Sequence, residues 1–262
     1  MSEAKKKRPK RVINFTDVDF REENKGIFTW TELVENDILD VSREILGEGT
    51  RMKEKLGCDS STVVVSDKVS DEIVTELLEY GADRVVVVEH PALKDYTTRA
   101  YAEVINQVVA KYKPEIFLYG ATTTGRDLAP RIAARLEVGL SADCTEFNIG
   151  GFESKPKKQR FKEVGHFIRP SYGESKLATI IGPWTFPQMA TARPGAMNPL
   201  ERQVGRKGEI DKFEVTLTEE DLTVEVLETR RSGVGISKEA SELMEAHVVV
   251  SGGYGIGKDG FD

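Results

Sequence analysis

Residues 116–136 decide the fold: Ile116-Phe117-Leu118-Tyr119 is an unbroken apolar run, Gly120-Ala121-Thr122-Thr123-Thr124-Gly125-Arg126-Asp127 is a turn, and residues 128–136 carry apolar side chains at helical spacing. A strand without polar alternation is buried on both faces, as happens in a parallel sheet covered by helices. Upstream the same unit repeats. Thr62-Val63-Val64-Val65 and Val85-Val86-Val87-Val88 are β-branched runs. The spacing predicts helices over 71–80, stopped by Gly81, and over 97–112, closed by Pro114. Gly26-Ile27-Phe28-Thr29-Trp30 is a further strand, and residues 37–56 predict a helix broken at Gly47 and Gly49. This β-α-β alternation predicts an α/β, Rossmann-like, mostly parallel sheet with helices on both faces.

Downstream the pattern changes. Runs at 145–149, 161–169, 177–181, 188–192, 213–217 and 223–227 have strand character with few helices between them, so the sheet is expected to gain antiparallel strands. A helix over 238–246 leads into His247-Val248-Val249-Val250-Ser251 and the loop Gly252-Gly253-Tyr254-Gly255-Ile256-Gly257, the opening of a new strand-to-helix unit. The expected organisation is a basic arm at 1–25, an α/β domain at 26–231, a connector at 232–246, and the truncated start of a second domain at 247–262.

The 262 residues hold 37 Lys and Arg against 44 Asp and Glu, a net charge of −7, with 39% hydrophobic residues. That apolar content supports a core and excludes wholesale disorder. An acidic chain argues against wrapping a nucleic-acid backbone, which relies on clustered cations. The one basic run, Lys5-Lys6-Lys7-Arg8-Pro9-Lys10-Arg11, reads as a solvated terminal arm. Cys58 and Cys144 are the two cysteines, too few for a disulfide framework or a four-thiolate cluster. No apolar run reaches the roughly 20 residues of a membrane span, and the N-terminus lacks the apolar segment of a secretory signal. These features fit a cytoplasmic protein, peripheral to a membrane only through partners.

Residues 120–131 imitate a phosphate-binding loop by spacing, but Arg126-Asp127 stands where the phosphate lysine and the magnesium hydroxyl are required, and that reading fails. The segment lies where open α/β sheets bind ligands, yet its threonines and Asp127 equally suit capping of turn amides. Glycines 252–257 suit close approach of a pyrophosphate to backbone amides, or simply a tight turn. Arg169 and Arg193 precede prolines, which hold them extended at a surface crevice or in rim ion pairs. His90, His166 and His247 share no ligand spacing with each other or with the cysteines. Trp30 and Trp184 read as packing residues, and Cys144 has no adjacent base to make it a nucleophile.

Residues 120–136, continuing through Gly139-Leu140-Ser141-Ala142-Asp143-Cys144-Thr145, resemble the alpha subunit of electron-transferring flavoproteins. Arg169-Pro170-Ser171-Tyr172-Gly173 is similar to that family's Arg-Pro-Ala-Phe-Gly-Gly-Asn segment, and Gln188-Met189-Ala190-Thr191-Ala192-Arg193-Pro194-Gly195 to its Gln-Met-Ala-Thr-Val-Arg-Pro-Gly segment. Val248-Val249-Val250-Ser251-Gly252-Gly253 resembles the opening of its flavin domain. The chain departs at Glu174-Ser175, where the family has Gly-Asn, and at Tyr254, where it has an arginine.

The resemblance implies an electron-carrying heterodimer with a beta subunit. FAD would be gripped from Ser251, Gly252, Gly253, Tyr254 and Gly255, and the beta subunit would hold FAD or AMP. Arg169 and Tyr172 are then candidate contacts to a beta-subunit flavin. One implied branch oxidises NADH and splits electrons between ferredoxin and a quinone-linked acceptor. The alternative shuttles electrons from acyl-CoA dehydrogenases to a quinone oxidoreductase. Any iron-sulfur cluster would belong to a partner. A non-redox adenine-nucleotide-binding module is the reading from another class, since fold does not fix function.

Overall fold

A computed structural model describes residues 14–19, 25–171 and 176–228, with residues 248, 250 and 251. The chain divides into two units, Met1–Glu225 and Val226–Asp262. In chain order the first unit holds β1 (Thr16–Val18), β2 (Ile27–Thr31), β3 (Leu33–Val34), β4 (Asp37–Ile38), α1 (Asp40–Leu56), β5 (Ser60–Ser66), α2 (Asp71–Glu79) and β6 (Arg84–Glu89). A 3-10 turn (Pro91–Leu93), α3 (Thr98–Tyr112), β7 (Ile116–Gly120), α4 (Thr123–Leu136) and β8 (Leu140–Cys144) follow. Last come β9 (Glu146–Ser154), β10 (Gln159–Pro170), β11 (Leu177–Ile180), β12 (Gln188–Ala192) and β13 (Glu209–Lys212). The described residues of the second unit, 226–228, 248, 250 and 251, are exposed and form no regular element.

The central sheet has seven strands in the order β13-β6-β5-β2-β7-β12-β8, and all its pairings are parallel. Every residue of β2, β5, β7 and β12 is buried, which is why these strands read as continuous runs. Alternate side chains feed two layers. Phe28, Trp30, Val63, Val65, Val86, Phe117 and Tyr119 pack under α3 and α4. Ile27, Ile116, Leu118 and Ala190 face α1, and Val64, Val85 and Val87 face α2. No helix among the described residues is long and apolar enough to cross a membrane.

Several details differ from the sequence reading. Helix α1 is unbroken: a Cβ on Gly47 would come within 3.0 Å of the Leu200 amide, and one on Gly49 within 3.1 Å of Ser60 Oγ. These glycines permit close packing inside the helix, at a cost of about 1 kcal/mol each in helix propensity. The antiparallel strands form a separate sheet in which β9 and β11 run antiparallel to β10, while β1, from within the arm at 1–25, runs parallel to it. Residues 188–192 instead join the central sheet between β7 and β8.

The third difference lies in residues 213–217 and 223–227, which make no strand; the seventh strand is β13, just before them. Phe213, Val215 and Leu217 pack against the core layer of α3 and α4, so their alternation records half-burial of an extended segment without ladder pairing. Glu79 and Asp83 pin the chain ahead of β13. The Glu79 carboxylate accepts from Arg202 Nε and Gly205 N at 2.7 Å, and Asp83 accepts from Arg206 and Lys53. The helix at 238–246 and the loop at 252–257 lie outside the described residues.

Helix α4 starts at Thr123, five positions ahead of the expected 128, because Thr122 Oγ1 accepts from Gly125 N at 2.9 Å. A Cβ on Gly125 would lie 1.9 Å from the Gly120 carbonyl oxygen. Gly125→Ala is therefore expected to cost about 2–3 kcal/mol by overpacking. Gly139→Ala, with nothing within 4 Å of its added Cβ, should change stability by less than about 0.5 kcal/mol. Equal midpoints for the two variants in urea would contradict this packing.

Candidate functional site

A parallel sheet buried on both faces leaves its strand ends as the place where polar groups reach solvent. Four strands end together here. Ala121 N donates to Ala192 O at 2.7 Å, tying the end of β7 to that of β12. Arg193 N donates to Cys144 O at 2.8 Å, tying β12 to β8. Glu32, just past β2, accepts from Thr122 Oγ1 at 2.6 Å. Two of the turn amides are used locally: Gly125 N and Arg126 N donate to Thr122 Oγ1 and Thr122 O, which caps the start of α4.

Asp143 organises the charge at this edge. Its backbone is left-handed, with φ 59°, a conformation that Asp tolerates better than most residues, and its amide donates to Thr191 Oγ1 at 2.8 Å. That twist sends the carboxylate between two guanidinium groups, Arg193 at 2.7 Å and Arg126 at 3.4 Å. Arg126 is also fixed through Nε, which donates to Ala121 O at 2.8 Å. The Arg193 hydrogen bond holds the Asp143 carboxyl below its usual range, and the charges of Arg193, Arg126 and Arg169 add to the effect against the opposing pull of burial.

Arg169 reaches this group from the second sheet. Thr145 N donates to Ile168 O at 2.8 Å, which seats the end of β10 beside the residue after Cys144. Burial pushes the Cys144 thiol up to about 12, with Arg169 opposing and Asp143 reinforcing the shift. A thiol so held is almost wholly protonated at neutral pH.

Of the sequence candidates, Arg193 pairs with Asp143, and Arg169 acts on the same carboxylate through its charge. Ser251 is exposed in the second unit, whereas Tyr172, Gly252, Gly253, Tyr254 and Gly255 lie outside the described residues. Asp143 and Arg126 were not singled out from sequence for this role; the signal is an Asp followed by a strand restart, where a left-handed residue is needed. Asp127, read as a possible cap, instead accepts from Tyr96 Oη at 2.7 Å and from Thr98 Oγ1. His90 Nδ1 accepts from Ala92 N, a local cap. Trp30 is core, while Trp184 is partly exposed, edge-on to Phe152 and Phe161. Among the described residues no group of three or more His, Cys, Asp or Glu is placed to hold a metal ion.

The model of the electron transfer flavoprotein domain matches residues 28–218. An electron transfer flavoprotein subunit alpha from Thermoanaerobacterium thermosaccharolyticum is 39% identical over 241 residues, covering 91% of this chain and 68% of that protein. Protein FixB of Clostridium saccharobutylicum is likewise 39% identical over 241 residues, covering 91% and 67%. The acryloyl-CoA reductase electron transfer subunit beta of Anaerotignum propionicum is 36% identical over 250 residues, covering 90% and 67%.

A depressed carboxyl stabilises the fold above its unfolded value and loses that contribution as pH falls through its folded value. Asp143 is partly solvated, so its pairing is worth about 1 kcal/mol at pH 7. Asp143→Asn should lower stability by that amount at pH 7, and the gap to the parent should close as pH falls below about 4. Denaturant melts across this range check it; a gap that stays constant with pH would mean the ion pairs contribute nothing. In thiol labelling at pH 8, the half-buried Cys58 should react well before Cys144.

Proposed function

This chain belongs to the electron transfer flavoprotein family, as a relative of its alpha subunits and FixB proteins, and from that premise we propose that it is the alpha subunit of a flavin-bearing heterodimer. Its described domain supplies scaffold and subunit interface. The segment Ser251, Gly252, Gly253, Tyr254 and Gly255 opens the site that holds FAD, with glycines admitting the pyrophosphate to backbone amides. When bound, that flavin supplies the one- and two-electron chemistry. The beta subunit carries a second nucleotide, FAD or AMP.

The observation that carries this reading is the pairing of Arg126 and Arg193 with Asp143 at the carboxyl edge, where Arg169 adds its charge. These guanidinium groups bring positive charge to this edge. Arg169, with Tyr172 close behind it in sequence, would present that charge to a flavin of the beta subunit. A positive charge beside a flavin favours its anionic forms and shifts its reduction potential upward. The finer branch proposed is NADH oxidation with electrons divided between ferredoxin and a quinone-linked acceptor. A second reading, a shuttle serving an acyl-CoA-type flavin dehydrogenase, is favoured by the likeness to the acryloyl-CoA reductase electron transfer subunit.

The test is nucleotide content of the native full-length protein co-purified with its beta subunit. Two FAD and no AMP per heterodimer is the expected result. One FAD with one AMP would favour the shuttle, and no flavin would overturn the electron-transfer role. Arg169→Ala should lower the potential of one flavin by roughly 40 mV, a loss of about 1 kcal/mol for one electron. Unchanged potentials and unchanged subunit affinity would remove Arg169 from the site.

A further inference from the structure

The basic run Lys5-Lys6-Lys7-Arg8-Pro9-Lys10-Arg11 has no part in the flavin reading, yet the fold ties it to a second group of cations. Strand β1 lies parallel to the start of β10, with Thr16 paired to Gln159, and Thr16 N donates to Lys158 O at 2.8 Å. Because the two strands run the same way, the chain ahead of β1 leaves beside the turn that joins β9 to β10. Arg11 is three residues from Asn14, a reach of at most about 11 Å. A run of six cations and no anion is thereby tethered to that turn.

The turn is itself basic. Lys155, Pro156, Lys157 and Lys158 are all exposed. Arg160, just beyond them, is held by Glu153 at 2.8 Å and Asp17 at 4.0 Å, whereas no carboxylate among the described residues pairs with the three turn lysines. Lys157 Nζ instead lies 4.3 Å from the centroid of the Trp184 ring. Trp184 is 38% exposed, stands edge-on to Phe152 and Phe161, and donates from Nε1 to Gln159 Oε1 at 3.1 Å. An indole seated on an aromatic base, with its polar end fixed and part of its ring open, suits the boundary between apolar and wet surroundings.

The charge balance selects the partner. The chain as a whole carries −7, so a polyanion laid across it meets repulsion everywhere except at this corner. That disfavours a wrapping nucleic acid and allows a flat anionic surface touched at one point. Run and turn together hold seven lysines and two arginines. Lysines are compact charges without the arginine fork, which matches a fluid array of headgroups better than a fixed constellation of carboxylates.

We propose that this corner docks the protein directly on an anionic lipid surface, with the lysines over the headgroups and Trp184 at their level. It is separate from the flavin reading: Gln159 lies ten residues along β10 from Arg169, roughly 30 Å by strand rise. Co-sedimentation of the full-length chain in its heterodimer with lipid vesicles tests it. Binding is expected to phosphatidylcholine vesicles carrying about one-third phosphatidylglycerol in about 0.1 M salt, with at least a roughly tenfold loss in about 0.5 M salt and none to phosphatidylcholine alone. A triple variant, Lys155→Gln, Lys157→Gln and Lys158→Asn, should weaken binding at least about tenfold with flavin content and melting temperature unchanged; asparagine suits the left-handed backbone of residue 158, φ 53°. Binding should also shift indole emission to the blue, a shift lost in Trp184→Phe because Trp30 is core. Undiminished binding by the triple variant, equal binding to phosphatidylcholine alone, or tighter binding of duplex DNA or poly-glutamate than of the anionic vesicles would each overturn the proposal.

Discussion

The structure depends on burying a parallel sheet on both faces. Each backbone group of β2, β5, β7 and β12 must find its partner inside the ladder, because no water reaches those strands. Polar side chains within these strands are uncharged and mostly small, such as Thr31 and Thr62, whose hydroxyls bond each other at 2.7 Å. Charge is thereby pushed to the strand ends. The gathering of charge at the carboxyl edge follows from this exclusion more than from any single motif.

At that edge the local backbone decides which charges meet. Asp143 turns left-handed as β8 ends, at the register shift where β12 pairs with β8. The turn aims its carboxylate at arginines contributed by α4 and by the residue after β12. A glycine at 143 would adopt the same backbone but leave Arg126 and Arg193 without their shared partner. Thr191 Oγ1, accepting from the Asp143 amide, is the second restraint on the twist.

Strands β2, β5, β6 and β7 and helices α2 and α3 were legible because each is a sustained run with one period. The misreadings share a cause: a one-dimensional pattern records burial, not partners. Gly47 and Gly49 look like breaks until Leu200 and Ser60 are found against them. Residues 213–217 alternate like a strand because one side faces the core, yet after the Phe213 amide, which donates to Val87 O at 2.9 Å, the pairing with β6 is not continued. Arg169 and Arg193 were visible as pre-proline arginines. Asp143 was not visible in that role, since its value comes from a backbone twist that joins α4, β8 and β12.

The arginine cluster also rests on a second carboxylate that titrates in the opposite sense. Glu44, on α1, accepts from Gly195 N with both oxygens at 3.1 Å and so holds the loop that follows Arg193. Burial raises its pKa, against the backbone bonds from Gly195 and Met197. As pH rises from the ordinary Glu range through this raised value, the unfolded chain gives up its proton first, and Glu44 contributes progressively less stability. Asp143 behaves inversely, gaining as pH rises through its depressed value. The two ends of residues 193–197 thus respond to pH in opposite senses: acidification weakens the Asp143 end, and rising pH erodes what Glu44 contributes.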